Sequence, residues 1–303
     1  MAQATLLEMA REIHLYSDEV CPIPMATRWV RDRYRKICER TLWSFKLGRG
    51  TFYTPAEYTT GTVTMTNDST TVTGSSTVWT STHVNQQFVV EGTVFTISAV
   101  GGNTSLTLDQ KWYGATESSL TYSIRQAYIT PTPTDFHAFY SVIDVANSWP
   151  LQLGVNVKEI DRIDARRAST GTPRLLANGV YNSSNAAVFE LWPHPTALTQ
   201  YMYTYEKRIT DLVNATDTPP SIIRSDVIVK GALADLARWP GTAERRNPMY
   251  DLYFTQWKNR EAEFESELNR LIVEDQSILL TDLSFTHGSQ IGVDARYMQN
   301  HAF

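Results

Sequence analysis

The chain has 303 residues, of which 42% are hydrophobic, 11% aromatic and 19% charged, a make-up that excludes a wholly disordered polymer and suffices for one large core or several smaller ones. A net charge of −5 and a pI near 5.7 give no global reason to expect a nucleic-acid or anionic-membrane binder. Two isolated cysteines, Cys21 and Cys38, do not make a disulfide framework or a zinc pair, and no run approaches the ~20 apolar residues of a bilayer span.

Residues 1–50 read as helical. Leu6, Met9, Ala10 and Ile13 recur at helical spacing, and after Cys21-Pro22-Ile23-Pro24 the pattern resumes in Val30, Tyr34, Ile37, Cys38, Leu42 and Phe45. Arg28, Arg31, Arg35, Lys36 and Arg40, interleaved with Asp32 and Glu39, read as a solvated helix face, with contact to an acidic neighbouring subunit as the alternative. Met1 to Ala10 carries Glu8 and lacks a basic start before an apolar run, so no signal peptide is expected.

From Thr51 to about Ile124 the composition turns to Thr, Ser, Val and Gly. Alternation in Thr62-Val63-Thr64-Met65-Thr66, Thr71-Val72-Thr73 and Val94-Phe95-Thr96-Ile97 predicts short strands, punctuated by Asn67-Asp68, Gly74-Ser75 and Gly101-Gly102-Asn103. A small antiparallel barrel or sandwich is expected. Residues 129–210 form a second mixed region that ends in strands over Ala187–Trp192 and Tyr201–Tyr205. Tyr201, Tyr203 and Tyr205 share one strand face there, read as core rather than ligand platform.

Helix returns over Ser221–Trp239 and again over Asn247–Asp275. In the latter, Tyr250, Tyr253, Trp257, Phe264, Leu268 and Leu271 form one stripe, opposite Lys258, Arg260, Glu261, Glu263, Glu265 and Glu267. Residues 276–303 have no sustained period yet hold Ile278, Leu279, Leu280, Leu283, Phe285, Ile291, Val293, Tyr297, Met298 and Phe303, which suits a segment ordered against something else. The expected fold is therefore α+β. A helical bundle is built from 1–50 and 211–275, with a small β domain inserted at 51–128, a second mixed β region at 129–210 and an extended tail at 276–303.

Catalytic constellations are missing from the sequence: it has no G-x-G-x-x-G, P-loop, G-x-S-x-G or H-E-x-x-H. His14, His83, His137, His194, His287 and His301 are scattered and read as ordinary residues rather than metal ligands. The four alternating glutamates read as a solvated helix face, and Arg166-Arg167, Lys207-Arg208 and Arg245-Arg246 as isolated basic pairs. Trp79, Trp112 and Tyr113 offer a glycan-binding alternative to core packing. No enzyme, cofactor or metal is expected.

The order of helices, β insertion, helices and tail resembles the head-to-tail adaptor (connector, head-completion) proteins of tailed, especially short-tailed, bacteriophages. The resemblance is carried by Trp43-Ser44-Phe45 at a helix exit and by Ala232 to Trp239 followed by a long charged helix. It is carried also by a β module running through Gly61, Val72 to Trp79, Phe95-Thr96-Ile97, Leu106 to Asp109, Tyr113-Gly114 and Tyr122-Ser123-Ile124. The resemblance implies a non-enzymatic virion protein of the neck, assembled in the host cytoplasm. It implies a dodecameric ring beneath the portal protein that extends the DNA channel and carries the tail nozzle or fibres. Packaged DNA would pass without sequence-specific binding, and no membrane is involved. The C-terminal tail would dock on the portal, with Phe285, Ile291, Tyr297, Met298 and Phe303 as anchors. A nozzle or fibre-attachment protein and a carbohydrate-binding protein are the alternatives.

Overall fold

The computed structural model describes residues 3–181, 187–250 and 255–284. In chain order it has helices α1 (Leu6–Tyr16) and α2 (Ile23–Arg40), a 3-10 turn (Ser44–Lys46), and strands β1 (Leu47–Thr54), β2 (Thr62–Met65), β3 (Ser69–Ser75), β4 (Gln87–Val90), β5 (Thr93–Gly102), β6 (Ser105–Trp112), β7 (Glu117–Leu120), β8 (Tyr122–Arg125) and β9 (Tyr128–Ile129). There follow β10 (Phe136–Asp144), β11 (Trp149–Pro150), β12 (Gln152–Asn156), helix α3 (Val157–Ile163), β13 (Leu175–Tyr181), β14 (Ala187–Trp192) and β15 (Thr199–Lys207), then helices α4 (Ser225–Arg238) and α5 (Thr255–Ser284).

The fold class corrects the α+β expectation. The chain is mostly β, with fifteen strands in three sheets against five α-helices among the described residues, and it is not a helical bundle carrying one small β insertion. The reason lies in residues 129–210, which supply most of two further four-stranded sheets. Register shifts break β10 between Phe136 and Ala138 and between Phe139 and Ser141, so its apolar residues never alternate cleanly. Strand β12 pairs in parallel with β13, a partner that no local turn announces.

Two compact units divide the chain: residues 1–47 with 209–303, and residues 48–208. In the first, α1 opens on a capping box. Thr5 Oγ1 accepts from the Glu8 amide, and Glu8 Oε2 accepts from the Thr5 amide at 2.8 Å. Proline near its start suits α2, because a first-turn amide has no helical acceptor to lose. At the other end of α4, the Asn247 side chain donates to the carbonyls of Leu236 and Trp239 at 2.8 and 2.7 Å, filling acceptors that the helix end leaves open. Leu6, Met9, Ile13, Val30, Ile37, Trp43, Val227, Leu236, Phe264 and Leu268 meet in one core. Gly231 on α4 is needed there, because an added Cβ would lie 2.9 Å from the Phe264 ring and 3.0 Å from Arg33 Cδ.

The α5 helix also corrects the tail. It runs through 276–284, where an extended segment is expected, and the remainder from Phe285 lies outside the described residues. No Gly or Pro interrupts the sequence between Asp275 and Gly288, so propagating an existing helix costs less than stopping it. Asp275 is fully buried and accepts from both the amide and hydroxyl of Ser44, which ties this part of α5 to the 3-10 turn.

In the second unit, the seven-stranded sheet has the order β7-β2-β3-β6-β5-β4-β8. Its two outermost strands are separated in sequence by the single residue Thr121, so the sheet curls until its ends meet. Val63, Val72, Trp79, Phe88, Ile97 and Leu106 fill the interior. The buried indole of Trp79 donates to Tyr122 Oη at 3.0 Å, and that hydroxyl donates on to the Thr60 carbonyl at 2.6 Å. Asp68, at φ 61, makes the tight turn between β2 and β3.

The two smaller sheets have the orders β1-β15-β10-β11 and β12-β13-β14-β9. Tyr201, Tyr203 and Tyr205 on β15 are buried on one face. Tyr203 and Tyr205 pack near Phe139 and Phe136, and Tyr201 stacks on Phe52 at 4.9 Å between centroids. No helix among the described residues is long and apolar enough to cross a membrane.

Candidate docking surface

The inward aromatics of the first four-stranded sheet determine what its other face presents. Side chains alternate along β15, so Met202, between buried Tyr201 and Tyr203, points away from the core and is 49% exposed. Its partner on β10 is Ile143, 42% exposed, and the partner of Ile143 on β11 is exposed Pro150. Three apolar residues thus line up across three strands. Tyr53 on β1 and Tyr140, the residue displaced by the second β10 bulge, are each more than half exposed as well.

Side-chain hydrogen bonds close the turn beneath this row. Asp144 is fully buried and accepts from the amides of Ala146 and Asn147 and from Asn147 Nδ2, closing the turn from β10 to β11. Arg174 lays its guanidinium 4.8 Å from the Trp149 ring at the sheet rim. Exposed apolar side chains on a sheet face suit adhesion to a protein surface better than catalysis.

Sequence reasoning missed this face. Alternation around Tyr201–Tyr205 was its available signal, since it leaves Met202 pointing outward, but the bulge at Tyr140 hides the matching pattern on β10. The anchors expected in the tail, Phe285, Ile291, Tyr297, Met298 and Phe303, lie outside the described residues.

Other candidates resolve into structural roles. Glu261, Glu265 and Glu267 of α5 are part-buried in cross-helix ion pairs, while Glu263 stays on a solvated face and also reaches Lys230. Glu261 meets Arg33 and Lys36, Glu265 meets Lys36 and Arg40, and Glu263 and Glu267 meet Lys230, with Arg224 also on Glu267. Arg31 and Arg35 on α2 are tied down too, Arg31 to the carbonyls of Leu212 and Val213 and Arg35 to Asp211. Trp79 and Trp112 are interior, which leaves Tyr113, 77% exposed, as the one outward member of the glycan candidates.

Among the histidines, His14 donates to the Cys21 carbonyl at 2.6 Å, and His83 accepts from the Thr80 amide at 3.1 Å. His287 and His301 are outside the described residues. His194 is fully buried, with Nε2 3.4 Å from Glu190 Oε1, and Arg167 Nε donates to the same oxygen at 2.6 Å. Arg167 also reaches Asp161 and the Asp164 carbonyl, so the cluster clamps the loop after α3 onto β14. No group of three or more His, Cys, Asp or Glu among the described residues is arranged to hold a metal. Two surface clefts, of about 330 and 220 Å³, are lined by residues of the helical unit such as Trp29 and Trp239 or Leu6 and Val213, with none of these histidines.

Asp164 secures the same loop and carries a prediction. Burial pushes its carboxyl up, but the amides of Ser169 and Ala168 and the Trp192 indole outweigh that, lowering it from an ordinary 3.8 to about 2. A depressed carboxyl stabilises the fold fully above its unfolded value and loses that contribution as pH falls towards about 2. Asp164→Asn should therefore cost on the order of 1–2 kcal/mol at neutral pH, reduced by solvent screening, and the difference should fade as pH falls through about 2 in paired denaturant melts. An equal deficit at both pH values would show that the charge is immaterial.

No family model matches the chain, and no curated protein matches it.

Proposed function

We propose that the chain is a structural subunit of a tailed-phage neck: a head-to-tail adaptor that forms a ring beneath the portal, extends the DNA channel and carries the tail. The observation that supports this most is the apolar row of Pro150, Ile143 and Met202 across one sheet, with Tyr53 and Tyr140 also outward on that sheet. Such a surface serves association. The sequence resemblance in the β module and the helices at both ends of the chain narrow association to the adaptor role.

In this reading the ring is dodecameric, its partners are the portal and the tail nozzle or fibre proteins, and no cofactor takes part. DNA passes without adhering, because counterion-release binding needs clustered Lys or Arg, and the α2 arginines Arg31 and Arg35 are already engaged within the subunit. Residues 285–303 are the docking segment, since their sequence scatters Phe285, Ile291, Tyr297, Met298 and Phe303 without a sustained period, and fixing each residue costs roughly 1–2 kcal/mol of backbone entropy. A partner offering apolar pockets offsets that cost.

Because α5 continues to Ser284, the informative cut falls after that residue. Truncation there should leave the melting temperature within a degree or two of the full chain and abolish co-sedimentation with the portal. A truncated chain that still binds would remove the tail from the mechanism.

A further inference from the structure

We infer that the free edge of β1 is a self-recognition surface, which takes the β1 edge of a second copy of this chain in antiparallel, two-fold pairing centred on Thr51. This inference goes beyond the adaptor reading. A two-fold contact joins copies in pairs and cannot by itself close a cyclic ring, so it is separate from the ring contact.

The edge itself is the first observation. Strand β1 is eight residues long and outermost in the order β1-β15-β10-β11, whereas the opposite edge strand, β11, has two residues. Sheet edges are ordinarily blunted by charged side chains, lysine above all, by proline, by a bulge or by shortness, and β1 carries one such charge, Arg49. Between Leu47 and Thr54 there is no proline and no lysine, and no backbone hydrogen bond outside the sheet is made by residues 48–53 among those described. Among the described residues, alternate amides and carbonyls of β1 therefore face outward without a backbone partner. Phe52 stays only half-buried although it stacks on Tyr201, as expected of an outermost strand.

The composition of the two faces selects the occupant. Arg49, Thr51 and Tyr53 are exposed on the outer face, and Gly48, Gly50 and Phe52 lie against Tyr205, Tyr203 and Tyr201 on the inner one. Directly opposed residues in an antiparallel pair share a face, so a two-fold axis must pass through a residue position. With the axis at Thr51, Arg49 faces Tyr53 of the second copy and the reverse, giving two cation–aromatic pairs on the outer face. The same register sets each Gly50 opposite Phe52 of the second copy, where an aromatic ring covers the backbone that glycine leaves bare. An axis at Gly50 sets Arg49 against Thr51, and an axis at Phe52 sets it against Pro55, so neither makes those pairs. Arg49 makes no ion pair among the described residues, so it is available for this role.

The register makes the test specific. Opposed Cα atoms in an antiparallel pair lie about 4.5–5.5 Å apart, within the range a disulfide spans. Full-length Thr51→Cys should therefore cross-link almost completely into a covalent dimer under mild oxidation. Arg49→Cys and Tyr53→Cys should each stay monomeric alone and cross-link to one another when mixed. The native Cys21 and Cys38 are buried and should not interfere. In sedimentation equilibrium, Thr51→Lys should weaken dimerisation at least tenfold by opposing two ammonium groups, while Thr51→Val should dimerise like the parent chain. A parent chain that is monomeric at every concentration would overturn the inference. So would Arg49→Cys cross-linking alone as readily as Thr51→Cys, or a dimer indifferent to Thr51→Lys. Association with portal is scored separately: its absence beside an intact Thr51-dependent dimer would count against the adaptor role and leave this inference standing.

Discussion

Replacing Arg33 by alanine is expected to destabilise the helical unit by about 3–5 kcal/mol, a cost typical of breaking a buried ion pair from one side. The Arg33 side chain is 7% exposed and sits between two carboxylates. Its Nε and Nη2 donate to Asp235 at 2.7 Å, and Nη1 donates to Glu261 at 2.9 Å. Burial opposes its charge, but the hydrogen bonds to Asp235 and Glu261 outweigh burial and hold the guanidinium charged. Removing it would strip both half-buried acids of their arginine, with only Lys36 left on Glu261. Denaturant unfolding of the variant reads the loss directly. Triple replacement of Arg33, Asp235 and Glu261 by apolar residues of similar volume should recover most of it, because the penalty lies in unpaired charge rather than in lost attraction. A loss below about 1 kcal/mol for Arg33→Ala would mean that water reaches these acids.

Phe264→Ala should cost a similar ~3–5 kcal/mol by a different route, lost transfer free energy plus the cavity left behind. The ring is fully buried in the core shared by α1, α2, α4 and α5. Collapse around the vacated space is restricted. Gly231 has no side chain to fill it, and Arg33, whose Cζ is 5.0 Å from the ring centroid, is held by its acids. Thermal melts of Phe264→Ala and Phe264→Leu would separate cavity from shape, with the leucine variant recovering more than half of the loss. Because Phe264 and Arg33 touch, the double variant should fall short of the summed single losses by at least roughly 0.5 kcal/mol.

Much of the helical unit could be read from residues alone, since its apolar positions repeat with the helix. Phe264, Leu268 and Leu271 are spaced as a stripe and are buried as one. The Tyr201, Tyr203 and Tyr205 face was legible for the matching reason, a period of two. Legibility failed where geometry departs from those periods. Two bulges in β10 and the parallel pairing of β12 concealed a pair of four-stranded sheets, and the α+β expectation failed with them. Charge was misread for another reason: a glutamate on a helix looks the same in sequence whether water or an arginine faces it. Glu261, Glu265 and Glu267 turned out to face α2 and the α4 segment. The outward row Pro150, Ile143 and Met202 was illegible because it joins three strands whose register only the fold determines.

The proposed adaptor role is tested most directly by imaging the full-length chain at low resolution after mixing with a portal ring. The expected result is a second ring of twelve copies coaxial with the portal, with density from each subunit reaching into the portal and lost on truncation after Ser284. Free chain beside bare portals, or a trimer bound at the periphery, would contradict it.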